Sequence, residues 1–148
     1  MGYRILDHTA DIGIEVHGAT LADLFAQAGL ALFDLLTDRA TLEGEGERII
    51  RVDGTDITDI WINYLRELLY LFNGGGFLVK DIPARNLEVN VIESVDESNI
   101  FNLVAHCLGE IYNPHRHPIK TEIKAVTYHC AEVKRTPMGW QGLFIVDV

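Results

Sequence analysis

Two stretches of this chain repeat their apolar residues at helical spacing, and both lie in its first half; strand-like segments fill most of the rest. Leu21, Leu24, Phe25, Ala28, Leu32 and Leu35 recur at three- and four-residue steps, which puts them on one helix face. Thr20 stands before them as an N-cap, Asp23 completes a shortened capping box, and Thr37-Asp38 ends the pattern. A second helix is expected from about residue 56 to residue 72, with Ile57, Ile60, Trp61, Tyr64, Leu65, Leu68 and Phe72 as its apolar stripe. Asn73-Gly74 is expected to stop it through a left-handed residue.

Residues 14–17, 48–53, 77–82, 87–95, 100–107, 121–129, 131–134 and 141–147 are rich in Val, Ile, Phe and Tyr and read as strands. Leu87, Val89 and Val91 alternate with Glu88 and Asn90, as a strand with one buried face requires. Residues 96–99 read as a hairpin turn between two of these strands. Two early helices followed by a run of strands define an α+β class, with both helices packed on one face of a mostly antiparallel sheet. Strict βαβ alternation is missing, so a dinucleotide-binding sheet is not expected, and neither G-x-G-x-x-G nor G-x-x-x-x-G-K-[ST] occurs.

No linker, repeat or low-complexity stretch divides the chain, so residues 1–148 are read as a single domain. Hydrophobic residues make up 48% and charged residues 23%, enough for a packed core. No apolar run approaches the ~20 residues that span a bilayer, and the first residues lack a signal-peptide pattern; a cytoplasmic location is expected. Twelve basic against 22 acidic residues leave a formal charge of −10. Such a field repels a phosphate backbone, so direct nucleic-acid binding is not expected, and a basic partner protein is the better match. Cys107 and Cys130 are too few for a disulfide framework and read as small buried thiols.

The densest polar cluster is Asp7-His8-Thr9-Ala10-Asp11-Ile12-Gly13, just before a strand. Two carboxylates and an imidazole within five residues can begin a metal site; carboxylate oxygens suit hard cations, and imidazole draws toward zinc or manganese. The same residues also read as a solvated turn bonding its own backbone, since short turns of this kind are common. At the other end, Leu143-Phe144-Ile145-Val146-Asp147-Val148 is an apolar strand that places Asp147 beside the α-carboxylate of Val148. Two such charges in one small region need a cation or donor, unless water alone surrounds them. A rival cluster of His115 and His117 with His106, Cys107, His129 and Cys130 fits no closed zinc spacing. A nucleophile elbow is also missing, and nothing marks the chain as an enzyme.

Four anchors along the chain resemble the archease family: residues 7–13 its D-H-T-A-D-I-G signature, residues 31–38 the end of its first helix, residues 122–129 its E-I-K-A-V-T-Y-H strand, and residues 145–148 its terminal V-x-D-[IV]. At Cys130-Ala131 the chain departs from the Gly-Leu frequent in the family. The resemblance implies a non-catalytic activator of the GTP-dependent RNA ligase of tRNA splicing and RNA repair, one that promotes guanylylation of the ligase and multiple turnover. It implies a divalent metal ion, usually calcium, with ligands at Asp11, Asp147 and Val148, and partner contacts at His8 and Lys124. Two other readings remain: a chaperone-like adaptor for a tRNA-modifying enzyme such as a methyltransferase, and a metal-dependent hydrolase built on Asp7, His8 and Asp11.

Overall fold

The computed structural model describes residues 2–7, 11–93 and 99–148. Eight strands and two α-helices follow in the order β1 (Gly2–Asp7), β2 (Asp11–Gly18), α1 (Leu21–Leu36), β3 (Gly46–Gly54), α2 (Ile57–Asn73), β4 (Phe77–Asp81), β5 (Leu87–Glu93), β6 (Asn99–Ile111), β7 (Ala125–Thr136) and β8 (Gly139–Asp147). The α+β class holds, and every named strand pair is antiparallel. The strands divide into two sheets: β1-β2-β8-β7, and a second in which β6 pairs with β3, β4 and β5.

Both helices touch both sheets. Helix α1 meets β2 and β8 on one side and β4 and β5 on the other, and so it is buried almost all round, Ala26, Gly29, Ala31, Phe33 and Leu36 included. A helix in that position cannot keep a narrow apolar stripe. Its start is the expected capping box: the Asp23 N–H donates to the Thr20 hydroxyl at 3.1 Å, and the Thr20 N–H returns to the Asp23 carboxylate at 3.3 Å. Helix α2 begins on Asp56, whose carboxylate accepts from the Asp59 N–H at 2.8 Å. Phe25, Trp61, Tyr64 and Phe144 meet edge-to-face at the centre of the core, with ring centroids 5.1–6.0 Å apart.

Four expectations need correction. Gly74 is right-handed (φ −97°), and the left-handed residue after α2 is Gly76 (φ +63°), because the last turn continues through Gly74 and Gly75 onto Tyr70. Residues 121–124 are not strand: the Ile123 carbonyl accepts from Asn73 Nδ2 at 3.1 Å instead of from a neighbouring strand. The two strands expected at 121–129 and 131–134 are one strand, β7, whose register against β8 shifts between Thr127 and Glu132. Strand β1 was not expected at all. The turn expected at 96–99 lies, apart from Asn99, outside the described residues, with Glu93 paired to Asn99 across it.

A candidate metal-binding edge and the cleft beside it

Burial sets the register at the Asp11 end of the first sheet. Ile14, Val16, Phe144, Val146 and Val126 are buried in the core, and Ile12 packs against it. Ile12 therefore pairs with Val146, and Ile14 with Phe144. A one-residue slip would turn all of them to the other face. With that register fixed, Asp11 falls directly opposite Asp147, and Asp147 opposite Ala125. The Lys124 N–H donates to the Asp147 carbonyl at 2.8 Å, tying the entry of β7 to the end of β8.

Like charges directly opposite each other on adjacent strands are unfavourable. The donors here are carboxylate oxygens, the chemistry of a hard divalent cation. Among the described residues no three His, Cys, Asp or Glu side chains gather as a metal-holding group, so a cation at Asp11 and Asp147 needs further oxygens. Val148 follows Asp147 and is partly exposed. Asp7 ends β1, one pair away from Asp11 in the hairpin register. The Asp7 side chain and the whole of His8 lie outside the described residues.

The histidines and cysteines of the rival cluster are scattered. His117 is buried: its Nδ1 accepts the Asn113 N–H at 2.8 Å, and its Nε2 bonds Glu110. That pairing pins the 112–118 loop, with Tyr112 stacked on the imidazole. Burial raises the Glu110 carboxyl, but hydrogen bonds from His117, the Glu43 N–H and Arg116 outweigh it and leave the group below its ordinary range. Cys107 is buried as expected, which pushes its thiol up to about 12. Cys130, against expectation, is exposed, because it sits in the irregular stretch of β7 with φ +55°. A left-handed residue at that bend is the position glycine fills without strain, which accounts for the Gly-Leu of the resembling pattern.

One group of residues escapes the sequence reading. Arg66 Nε donates to the Val126 carbonyl at 3.0 Å, and Asn73, about two turns further along the same face of α2, donates to the Ile123 carbonyl at 3.1 Å. Between these two clamps lies an open cleft of about 330 Å³, lined by Arg66, Leu69, Tyr70, Asn73, Lys124, Ala125 and Val126. The Arg66 guanidinium stacks 4.7 Å from the Tyr128 ring centroid, and Tyr128 Oη donates to Asp59 at 2.5 Å. That bond holds the Asp59 carboxyl below its ordinary range and the Tyr128 phenol above its own. The available signal was an Arg, a Tyr and an Asn at four- and three-residue steps along α2, outside its apolar stripe.

Comparison with known proteins places this arrangement in a class. Among solved chains, the solution structure of Methanobacterium thermoautotrophicum protein 1598 matches with a TM-score of 0.77 and 26% identity over 99% of each chain. The sequence profile of the Archease protein family (MTH1598/TM1083) matches residues 3–148. Protein archease of Methanosarcina mazei is 36% identical over 146 residues, 99% of this chain and 95% of that one. Protein archease of Pyrococcus furiosus is 36% identical over 143 residues, covering 96% and 95%, and that of Methanopyrus kandleri 33% over 148 residues and the full length of both. The chain belongs to the archease family.

Proposed function

We propose that this protein is a cytoplasmic, non-catalytic cofactor of a GTP-dependent RNA ligase, promoting guanylylation of the ligase and its repeated turnover in tRNA splicing or RNA repair. The observation that carries this reading is membership of the archease family across residues 3–148, with Asp11 and Asp147 of its end motifs facing each other. Asp11, Asp147 and a main-chain oxygen of Val148 hold a divalent cation, calcium by the resemblance, and the all-oxygen donor set supports that choice. When bound, the cation supplies a concentrated positive charge next to a partner's phosphate-handling groups. The carboxylates orient it at the sheet end, and the Lys124 N–H holds the Asp147 main chain in place. His8 and Lys124 are the side chains assigned to partner contact.

The charge of −10 favours approach to a basic ligase over direct contact with RNA, and makes the encounter salt-sensitive. No described helix is long and apolar enough to cross a membrane. The decisive experiment is multiple-turnover ligation by a purified GTP-dependent RNA ligase, with wild-type protein and with Asp11→Ala. Wild type should stimulate and the variant should not; equal stimulation removes the metal from the mechanism. Stimulation of a tRNA methyltransferase without GTP, and not of the ligase, would transfer the protein to the adaptor role.

A further inference from the structure

The cleft between α2 and the start of β7 lies at the same sheet end as Asp11 and Asp147, and of its lining only Lys124 has a role in the reading above. Resting on the ligase reading above, we propose that it is the slot in which the partner protein seats an apolar segment carrying a carboxylate side chain. Its floor is apolar, from Leu69, Ala125 and Val126, and Tyr70 stands at its side with 66% of its surface exposed. Exposed aromatic rings beside an apolar floor are the anchor type that dominates protein interfaces.

The slot is built before any partner arrives. Arg66 and Asn73 fix its two ends by side-chain bonds to the main chain at Val126 and Ile123, and Tyr128 fixes the Arg66 plane from outside. Preformed walls spare the ordering cost of binding. Lys124, exposed, makes no ion pair among the described residues. A lysine with no ion pair among the described residues, beside an apolar floor, calls for an anion with an apolar neighbour, and Arg66, whose charge also acts on Asp59, stands as a second cation at the rim.

The surrounding charge decides between sources of that anion. A free nucleotide carries several negative charges and must enter the field of a −10 protein into an open cleft that cannot enclose it. A single carboxylate on a partner segment brings one charge, and the rest of the interface offsets its approach. The Lys124 N–H bond to Asp147 also makes the cleft continuous with the acidic edge, so a partner meeting that edge covers the cleft.

The test is the affinity of full-length ligase for wild type, Tyr70→Ala, Lys124→Glu and Met138→Ala, measured by interferometry, with ligation stimulation run in parallel. Met138, 91% exposed at the β7–β8 turn, controls for loss of any exposed apolar side chain. Tyr70→Ala and Lys124→Glu should each weaken binding about tenfold or more, with unchanged melting temperature and with Met138→Ala at wild-type affinity. The Lys124→Glu defect should shrink as salt rises. Wild-type affinity for both cleft variants overturns the slot while leaving the ligase reading intact. Binding of GMP to the isolated protein, lost in Lys124→Glu, gives the cleft to a nucleotide and overturns it as well. A wild-type protein that binds no ligase overturns both readings.

Discussion

Asp11 and Asp147 face each other across β2 and β8, in a register set by the burial of Ile14, Phe144 and Val146. The fold itself therefore brings two carboxylates together, and core packing prevents them from slipping apart. A divalent cation that binds this pair stabilises the folded chain by mass action, by about 2.7 kcal/mol at a hundredfold excess over its Kd. For a chain of this length that is a rise of roughly 5–10 °C in melting temperature. Calcium should produce that rise in wild type and little in Asp147→Asn, as measured by scanning calorimetry with and without chelator. An equal response in the two proteins would place the cation elsewhere.

The capping box that opens α1 and the buried strand faces were legible in the sequence because they are local. Thr20 and Asp23 act within one helical turn. What escaped depends on partners far along the chain. The break after Thr127 resembles two strands when β7 is read alone, and becomes a bulge only because β8 runs unbroken beside it. Strand β1 alternates weakly, and Ile5 stays half exposed; its pairing with β2 makes it a strand. Asp11 and Asp147 were joined by family resemblance alone, since no spacing rule connects two chain ends. His117 read as a stray ligand because Glu110 and the Asn113 N–H, which occupy both of its nitrogens, cannot be assigned from spacing.

Gly142 of β8 lies directly against the Trp61 indole of α2. A Cβ added to Gly142 would lie 2.6 Å from the indole ring, whose Nε1 donates to the Leu143 carbonyl at 3.1 Å. The ring is fully buried against Phe25 and Phe144 and has no room to retreat. Gly142→Ala should cost about 1–3 kcal/mol, as overpacking does in a filled core. Urea unfolding monitored by tryptophan fluorescence measures it. A loss below a few tenths of a kcal/mol would mean that the indole has more freedom than these contacts allow.

The two thiols should behave as opposites. Cys107 is buried with its thiol at about 12, so almost none is thiolate at pH 8, whereas Cys130 is exposed. A disulfide reagent such as DTNB should therefore titrate one thiol per folded chain, and the second only on unfolding. Cys130→Ser should abolish the fast reaction. Two fast thiols in the native protein would contradict the burial of Cys107.

Asp59 and Tyr128 tie the first turn of α2 to β7, and their bond fixes the sign of a pH effect. Asp59 also accepts from the Thr55 N–H at 2.9 Å, and its carboxyl lies below the ordinary value when folded. Its contribution is thus complete above the unfolded carboxyl range near pH ~4, and fades as pH falls through the lower folded value. Tyr128 has the reverse sense: its phenol is raised, so its contribution is complete below pH ~10 and is lost as pH climbs through the folded value. Both groups are partly open to solvent, which limits the bond to about 1 kcal/mol. Tyr128→Phe should lower stability by that amount at pH 7 and by less at pH 3, where the acceptor is being protonated. Urea unfolding of both proteins across pH 3–11 reads the difference directly. A wild-type-minus-variant gap that stays constant with pH would show that the bond to Asp59 contributes nothing.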